Sequence, residues 1–267
     1  MRRRRSACEV APTWLLLVLM AGTPTAPAGE RAQPVDARRS GLLDMRPQTQ
    51  AMQRDDGANP GMLAVLEGAS LWRQAAGNVQ RACADCHGAP SAMQSVATRY
   101  PAFDAQAARP ITLEQRINAC RVRHQQASPW AWESRELLAL GALVGHQSRG
   151  LPIAPAQDPL LQPFRERGQL RFEQRVGQLN FSCRDCHDTL AGRHLGASKI
   201  PQAHPTGYPI YRLEWQSMGS LQRRMRNCLT GVRAEPFAYG AIEHTELELY
   251  LQWRAAGMAI ETPAVRP

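Results

Sequence analysis

Two short runs of residues could do chemistry, Cys83-Ala84-Asp85-Cys86-His87 and Cys183-Arg184-Asp185-Cys186-His187. Both have the form C-x-x-C-H, the attachment signature of c-type haem. Two cysteines three positions apart offer both thiols to the two vinyl groups of one porphyrin. The histidine that follows reaches the iron as the proximal ligand. Two such runs, displaced by 100 residues, predict two covalently bound haem c groups.

A zinc ribbon and a haem-free thiol oxidoreductase are the competing interpretations of these cysteines. A zinc ribbon would use four thiolates from two C-x2-C pairs. That site leaves both histidines unexplained and requires a far shorter gap than 100 residues. A thiol oxidoreductase predicts a protein without the red colour of haem.

Residues 1–28 have the pattern of an export signal. Arg2 to Arg5 form a basic region, Trp14 to Ala21 a short apolar region, and Ala26-Pro27-Ala28 a small-residue cleavage site. The apolar region is too short to span a membrane. Cys8 precedes it, which argues against a lipoprotein anchor. We therefore expect a product without a membrane anchor in an oxidising compartment, the periplasm.

The net charge of the chain excludes few classes of partner. The chain carries +9, and the predicted signal peptide accounts for +3 of it through four arginines and one glutamate. The remaining moderate positive charge is partly offset by haem propionates, so it predicts no nucleic-acid partner. An acidic protein partner stays open.

The two haem runs belong to a longer repeat. Leucine, arginine and cysteine recur in the same order and spacing downstream of each run, as Leu113, Arg116 and Cys120 and then as Leu221, Arg224 and Cys228. Glycines and aromatic residues also recur 100 positions apart, as the pairs Gly68 and Gly168, Trp72 and Phe172, and Gly77 and Gly177. The pattern predicts a duplicated module.

The sequence thus predicts a mainly α fold of two tandem cytochrome c-like domains, an internal duplication, joined by a Pro-rich linker. The boundaries are a signal peptide at 1–28, an N-terminal extension at 29–60, a first domain at 61–149, a linker at 150–164 and a second domain at 165–267. The extension is expected to be an arm or an irregular lead-in, and the tail 261–267 an exposed strap.

Local patterns predict several helices. One is expected over 61–77, with its end set by Gly77, and another after a capping box formed by Thr112 and Gln115. A second capping box, formed by Thr245 and Glu248, is expected to start the last helix. Two apolar faces follow helical spacing: Leu113, Ile117, Cys120 and His124, and then Leu137, Leu140 and Val144.

The distal ligand of each iron is the remaining question. Small cytochromes c commonly use a methionine, and the candidates are Met93, Met218, Met225 and Met258. These methionines do not occupy equivalent positions in the two copies, whereas Cys120 and Cys228 do. A disulfide between those two cysteines is the default in an oxidising compartment. The repeat instead favours one cysteine per haem, with an arginine one turn upstream favouring the ionised sulfur.

The stretch Arg224-Met-Arg-Asn-Cys228-Leu-Thr-Gly-Val-Arg-Ala-Glu-Pro-Phe-Ala-Tyr-Gly240 resembles the active-site stretch of the SoxA family. That family comprises dihaem subunits of the SoxAX cytochrome complex of bacterial sulfur oxidation. Residues 247–251 and 261–266 are similar to the same family. The resemblance implies an L-cysteine S-thiosulfotransferase, which couples thiosulfate to a cysteine of the SoxYZ carrier and passes two electrons to c-type cytochromes. It also implies a mono-haem SoxX-type partner.

Residue by residue, the resemblance implies the following roles. Cys228 is the catalytic sulfur and the distal ligand of the second haem, and Arg224 binds thiosulfate. Cys120 is the distal ligand of the first haem, and His87 and His187 are the proximal ligands. Two other functions stay open: a dihaem electron carrier in which Cys228 is inert, and a thiosulfate dehydrogenase that forms tetrathionate without a carrier protein.

Overall fold

Helices dominate a computed structural model of the chain, which describes residues 37–267. The predicted signal peptide and the start of the extension lie outside the described residues. The α-helices are α1 Pro47–Arg54, α2 Gly61–Arg73, α3 Ala84–His87, α4 Leu113–Cys120, α5 Arg135–His146, α6 Gln162–Glu173, α7 Leu221–Gly231 and α8 Ile242–Arg254. Within residues 37–267, none of the helices is long and apolar enough to cross a membrane.

Within residues 37–267 seven short strands form three small sheets. Two are antiparallel pairs, β1 Ala102–Asp104 with β2 Arg109–Ile111 and β3 His194–Leu195 with β4 Ser198–Lys199. In the third, β5 Ile210–Arg212 lies between β6 Ser217–Gly219, which is antiparallel to it, and β7 Ala264–Arg266, which is parallel. No element of the sheets exceeds three residues in the described part, so the predicted helix-rich fold is confirmed.

Helices α2 and α5 pack together around the first hydrophobic core. Val65 and Trp72 of α2 bury against Leu137, Leu140 and other apolar residues of α5. Gly68 lets the two backbones meet, because a Cβ there would overlap the carbonyl oxygen of Ala139. The predicted apolar face of α5 is therefore correct.

Helices α6 and α8 make the corresponding contact around a second core. Phe172 of α6 packs with Leu247, Tyr250 and Leu251 of α8. A Cβ at Gly168 would overlap the carbonyl oxygen of Glu246. The repeated glycines thus mark close helix approaches in both halves of the described chain.

The capping predictions had different outcomes. Thr112 and Gln115 form the predicted capping box, in which each side chain bonds to the backbone of the other residue. The box at Thr245 is wrong, because α8 begins one turn earlier at Ile242. Thr245 lies inside the helix and donates to the Ala241 carbonyl at 3.4 Å.

Two predicted helix details also need correction. Helix α2 ends at Arg73, before Gly77, which instead adopts a left-handed φ of +69° in the following turn. A π-helical turn at Arg121–Gln125 follows α4 and inserts one residue into the helical repeat. As a result Gln125, and not the predicted His124, is buried and donates to the Arg81 carbonyl at 2.8 Å.

The predictions of an irregular lead-in and of an exposed tail are wrong for the described residues. The Gln53 side chain in α1 accepts a hydrogen bond from the Val265 N–H at 3.0 Å. The Asn59 side chain donates to the Pro263 carbonyl at 2.9 Å. Val265 is fully buried because β7 pairs with β5 on one side and faces α1 on the other.

The proline-rich segment after α5 is extended but packed. Ile153 is buried, and its N–H donates to the Met258 carbonyl at 2.8 Å. The Gly150 N–H donates to the Ile260 carbonyl at 2.8 Å. The described residues belong to one compact unit, and the boundaries of the two predicted domains stay a prediction.

Candidate haem sites

Each C-x-x-C-H run forms a tight turn that is closed by its own aspartate. Asp85 accepts a hydrogen bond from the Ala82 N–H at 2.8 Å, and Asp185 accepts one from the Ser182 N–H at 2.9 Å. The first run is the short helix α3, and the second enters a π-helical turn at Asp185–Thr189. The aspartate between the two cysteines therefore fixes the turn from which both thiols project.

His187 has the orientation that a haem ligand requires. Its Nδ1 lies 2.7 Å from the Pro201 carbonyl oxygen. Because a carbonyl can only accept, Nδ1 must carry the proton, and Nε2 keeps its lone pair for a metal. Burial lowers the pKa of His187, which favours the neutral ring. These features fit a proximal haem ligand.

His87 is held by an aromatic neighbour. The Trp72 ring centroid lies 5.8 Å from that of His87, at a tilt of 40°. The Trp72 indole N–H donates to the Gly88 carbonyl at 2.8 Å. Trp72 is the aromatic residue that recurs as Phe172 in the sequence repeat.

Of the two cysteines outside the C-x-x-C-H runs, Cys120 lies near the first run and Cys228 near the second. Burial raises the pKa of the Cys83 thiol, and the nearby Cys120 raises it further. Burial likewise raises the pKa of Cys183 to about 12, with Cys228 as the largest charged contributor. All six cysteines in the described chain are free, without a disulfide.

The four methionine candidates lie in three different hydrophobic clusters. Met93 and Met225 pack against the first and second cores respectively. Met218, a candidate for the second site, packs against the first core instead, and Met258 packs against a third cluster around Ile153.

The two repeated arginines differ in their contacts. Arg116 lies 3.3 Å from the buried carboxylate of Asp104, which Arg123 also binds at 2.8 Å. Within residues 37–267 the Arg224 side chain has neither an ion pair nor a hydrogen bond to the protein. Burial is the main cause of the lowered pKa of His187 and of Arg212, and the nearby charge of Arg224 lowers both further. An uncompensated guanidinium therefore lies near the second run.

The structure offers no zinc ribbon within its described residues. No group of three or more His, Cys, Asp or Glu side chains there could hold a metal ion. The side chains instead fit two separate haem sites, each with a C-x-x-C-H turn and one further cysteine.

The sequence reasoning missed Pro201 as the partner of His187, since 14 residues of irregular chain separate them. The capping aspartate could have been found, because it recurs in both runs.

The helix-rich fold and these turns define a c-type cytochrome with covalently bound haem c. A family model described as "SoxA/TsdA, cytochrome c domain" matches residues 67–153. The L-cysteine S-thiosulfotransferase subunit SoxA of Pseudaminobacter salicylatoxidans is 38% identical over 91% of this chain and 85% of its own length. That of Rhodovulum sulfidophilum is 36% identical, over 86% and 81%.

A solved structure is similar as well. The crystal structure of SoxXA from P. pantotrophus contains a chain with a TM-score of 0.83 and 31% identity, covering 86% of this chain and 87% of that one. The chain therefore belongs to the SoxA family of L-cysteine S-thiosulfotransferase subunits, thiosulfate-oxidising haem cytochromes. The family and enzyme class predicted from the sequence are confirmed.

Proposed function

We propose that this chain couples thiosulfate oxidatively to a cysteine of the SoxYZ carrier, with Cys228 as the catalytic sulfur and as the distal ligand of the second haem. One observation carries the proposal. Cys228 lies beside the second C-x-x-C-H turn, and Arg224, without a protein partner in the described chain, lies one turn away on the same helix α7. The Cys228 sulfur and the uncompensated Arg224 guanidinium, on one face of a helix, suit thiosulfate, a dianion that contains sulfur.

The reaction requires oxidation as well as transfer. A carrier thiol and thiosulfate join through a new S–S bond, with release of one proton and two electrons, to give a carrier S-thiosulfonate. A bound haem would accept these electrons one at a time and pass each of them on to a c-type cytochrome acceptor. The guanidinium of Arg224 holds the sulfonate-like oxygens of thiosulfate through charge-assisted hydrogen bonds and presents the outer sulfur to Cys228.

The same proposal includes two haems in a duplicated architecture. Cys83 and Cys86 attach the first haem, and Cys183 and Cys186 attach the second. The ligands are His87 with Cys120 and His187 with Cys228. The matching approaches of α2 to α5 and of α6 to α8 support two modules, which the segment 150–164 would join.

Family membership supports a proposal for the partners and the location. The solved relative is a SoxXA complex, and we propose that this chain likewise pairs with a SoxX-type mono-haem cytochrome. A c-type cytochrome acceptor would remove the electrons. A periplasmic location agrees with the export pattern at 1–28 and with covalent haem.

Peptide mass mapping of the haem-loaded protein tests the proposal, since a catalytic sulfur should collect substrate sulfur. After thiosulfate treatment the Cys228 peptide should carry an added sulfur or thiosulfonate that reductant removes. The Cys120 peptide, at the equivalent repeat position, should carry none and serves as the internal control. An unmodified Cys228, or a Cys120–Cys228 disulfide, would contradict the proposed function and favour a dihaem electron carrier. Tetrathionate formed without any carrier would indicate a thiosulfate dehydrogenase.

Arg224 and Arg116 form a matched pair of variants. Arg224→Gln should raise the KM for thiosulfate by about 10- to 100-fold, because a charge-assisted contact to the anion contributes roughly 1.5–3 kcal/mol. Steady-state kinetics at several thiosulfate concentrations measure this change. Arg116→Gln instead removes one of the two arginine partners of Asp104, so it should lower stability and leave KM unchanged. Equal KM values for both variants would contradict a substrate role for Arg224.

A further inference from the structure

We propose that Arg254 and Asp188 are positioning residues for the second haem: together they hold the carbonyl of Pro201 against the proximal ligand His187. The proposal rests on the proposed assignment of His187 as a haem ligand. It does not depend on which reaction the protein performs.

The Arg254 guanidinium contacts a neighbour of each residue in the hydrogen bond between His187 and Pro201. Arg254 Nη2 lies 2.6 Å from Asp188 Oδ1, and Nη1 lies 3.3 Å from Oδ2, a two-pronged ion pair with the residue that follows His187. The same Nη2 lies 3.5 Å from the carbonyl oxygen of Gln202, the residue that follows Pro201. Arg254 therefore holds the turn that bears the ligand close to the loop that orients it.

The guanidinium itself is rigidly held. It lies 4.5 Å above the centre of the Phe172 ring and 5.8 Å from that of Tyr250, and its side chain is only 12% exposed. Stacking on aromatic rings and low exposure restrict a planar arginine strongly. The Arg38 guanidinium fixes the backbone just beyond, donating to the carbonyls of Arg254 and Ala256 at 3.0 and 2.7 Å.

The loop is anchored from its other side as well. The Gln202 side chain donates to the Ala37 carbonyl at 3.0 Å and accepts from the Arg39 N–H at 2.8 Å. His204 Nδ1 lies 3.1 Å from the Arg39 carbonyl. The loop that bears Pro201 is thus clamped between the N-terminal segment and the end of α8.

In the first copy of the repeat, other residues hold the C-x-x-C-H turn. There Trp72 ties the end of the turn directly, through its indole N–H and the Gly88 carbonyl. In the second copy Phe172, whose side chain has no N–H group, replaces the tryptophan, and Asp188 replaces the glycine. Arg254 lies over Phe172 and binds Asp188, so it supplies the tie that the phenylalanine cannot.

The arrangement has an electronic consequence at the second haem. A carbonyl that accepts from Nδ1–H makes the imidazole a stronger donor to iron and stabilises the oxidised metal. Among the described residues, His87 has no corresponding hydrogen bond. Loosening the Pro201 loop should therefore move the reduction potential of the second haem to more positive values and leave the first unchanged.

Redox titration of the full-length haem-loaded protein, followed by electron paramagnetic resonance, tests the proposal on Arg254→Gln, Asp188→Asn and the double variant. Each single variant should shift the second haem to a more positive potential and broaden its ferric signal. The double variant should shift no further than the larger single one, because both substitutions break one link. A His187→Ala variant identifies the signal of the second haem.

Arg135→Gln is the control, since it breaks an ion pair of 2.6 Å with Glu67 in the first half of the chain, where Arg135 is largely exposed. Both potentials should stay unchanged in it. The proposal is overturned if the single variants leave the second potential unaltered, if Arg254→Gln alone shifts it, or if the two shifts add. Should Arg254→Gln fail to take up haem, Asp188→Asn decides alone. The potentials are read whether or not the protein turns over thiosulfate, so failure of the proposed function leaves this test intact.

Discussion

Replacing Cys228 with alanine should abolish thiosulfate transfer to a carrier cysteine, with a loss of at least about 1,000-fold in kcat, because no second nucleophile can take its place. The other cysteines near Cys228, Cys183 and Cys186, would be consumed as haem thioethers. Arg224 would still bind the anion, so KM should change far less than kcat. Turnover with a purified carrier protein and an electron-accepting cytochrome measures both constants.

Cys120→Ala is the matched control, because Cys120 holds the equivalent position in the first copy. Both substitutions should alter the ferric spectrum of one haem, since each would remove a proposed sulfur ligand. Only Cys228→Ala should remove the transferase activity. If Cys228→Ala keeps substantial activity, or if Cys120→Ala loses as much, then the sulfur chemistry is not confined to the second site.

Local signals made the helical part of the fold predictable. The capping box at Thr112 and the apolar face of α5 depend on neighbours three or four residues apart, and both are correct. The π-helical turn after Cys120 was missed, because one inserted residue changes the phase without changing the composition. The box at Thr245 failed because buried packing extended α8 by a turn beyond a pattern that suits an N-terminus.

Distant pairings could not be predicted from local patterns. The tail is buried because β7 adds to β5, 54 residues earlier, in a parallel pair whose register depends on both segments. The polar composition of 29–60 gave no sign that Gln53 and Asn59 would bind this tail. Strand order and side-chain pairing across such separations follow from the tertiary structure as a whole.

The candidate sites were predictable for a chemical reason. Covalent haem attachment requires both thiols and the histidine in one contiguous run, and the repeat added Cys120 and Cys228. Positioning residues have no such constraint. Pro201 and Arg254 act on His187 from 14 and 67 positions away, so their roles emerge only once the chain is folded.

Gly168→Ala should strongly destabilise the protein. A Cβ at this position would overlap the carbonyl oxygen of Glu246, a backbone atom that cannot rotate away. Helices α6 and α8 would have to separate, and overpacking of this kind costs about 3 kcal/mol. For a domain of this size the cost corresponds to a fall in Tm of roughly 6–12 °C. Calorimetry of the haem-loaded protein measures it.

Gly231→Ala provides the control, because it makes the same substitution in helix α7 with no atom within 4 Å of the new Cβ. It should be neutral or stabilise by up to about 1 kcal/mol, since alanine favours the helix. Equal stability of the two variants would show that α6 and α8 can separate without cost. A selective loss in Gly168→Ala would instead show that this close approach is essential: it brings Phe172 against Tyr250 and so forms the aromatic surface on which Arg254 lies.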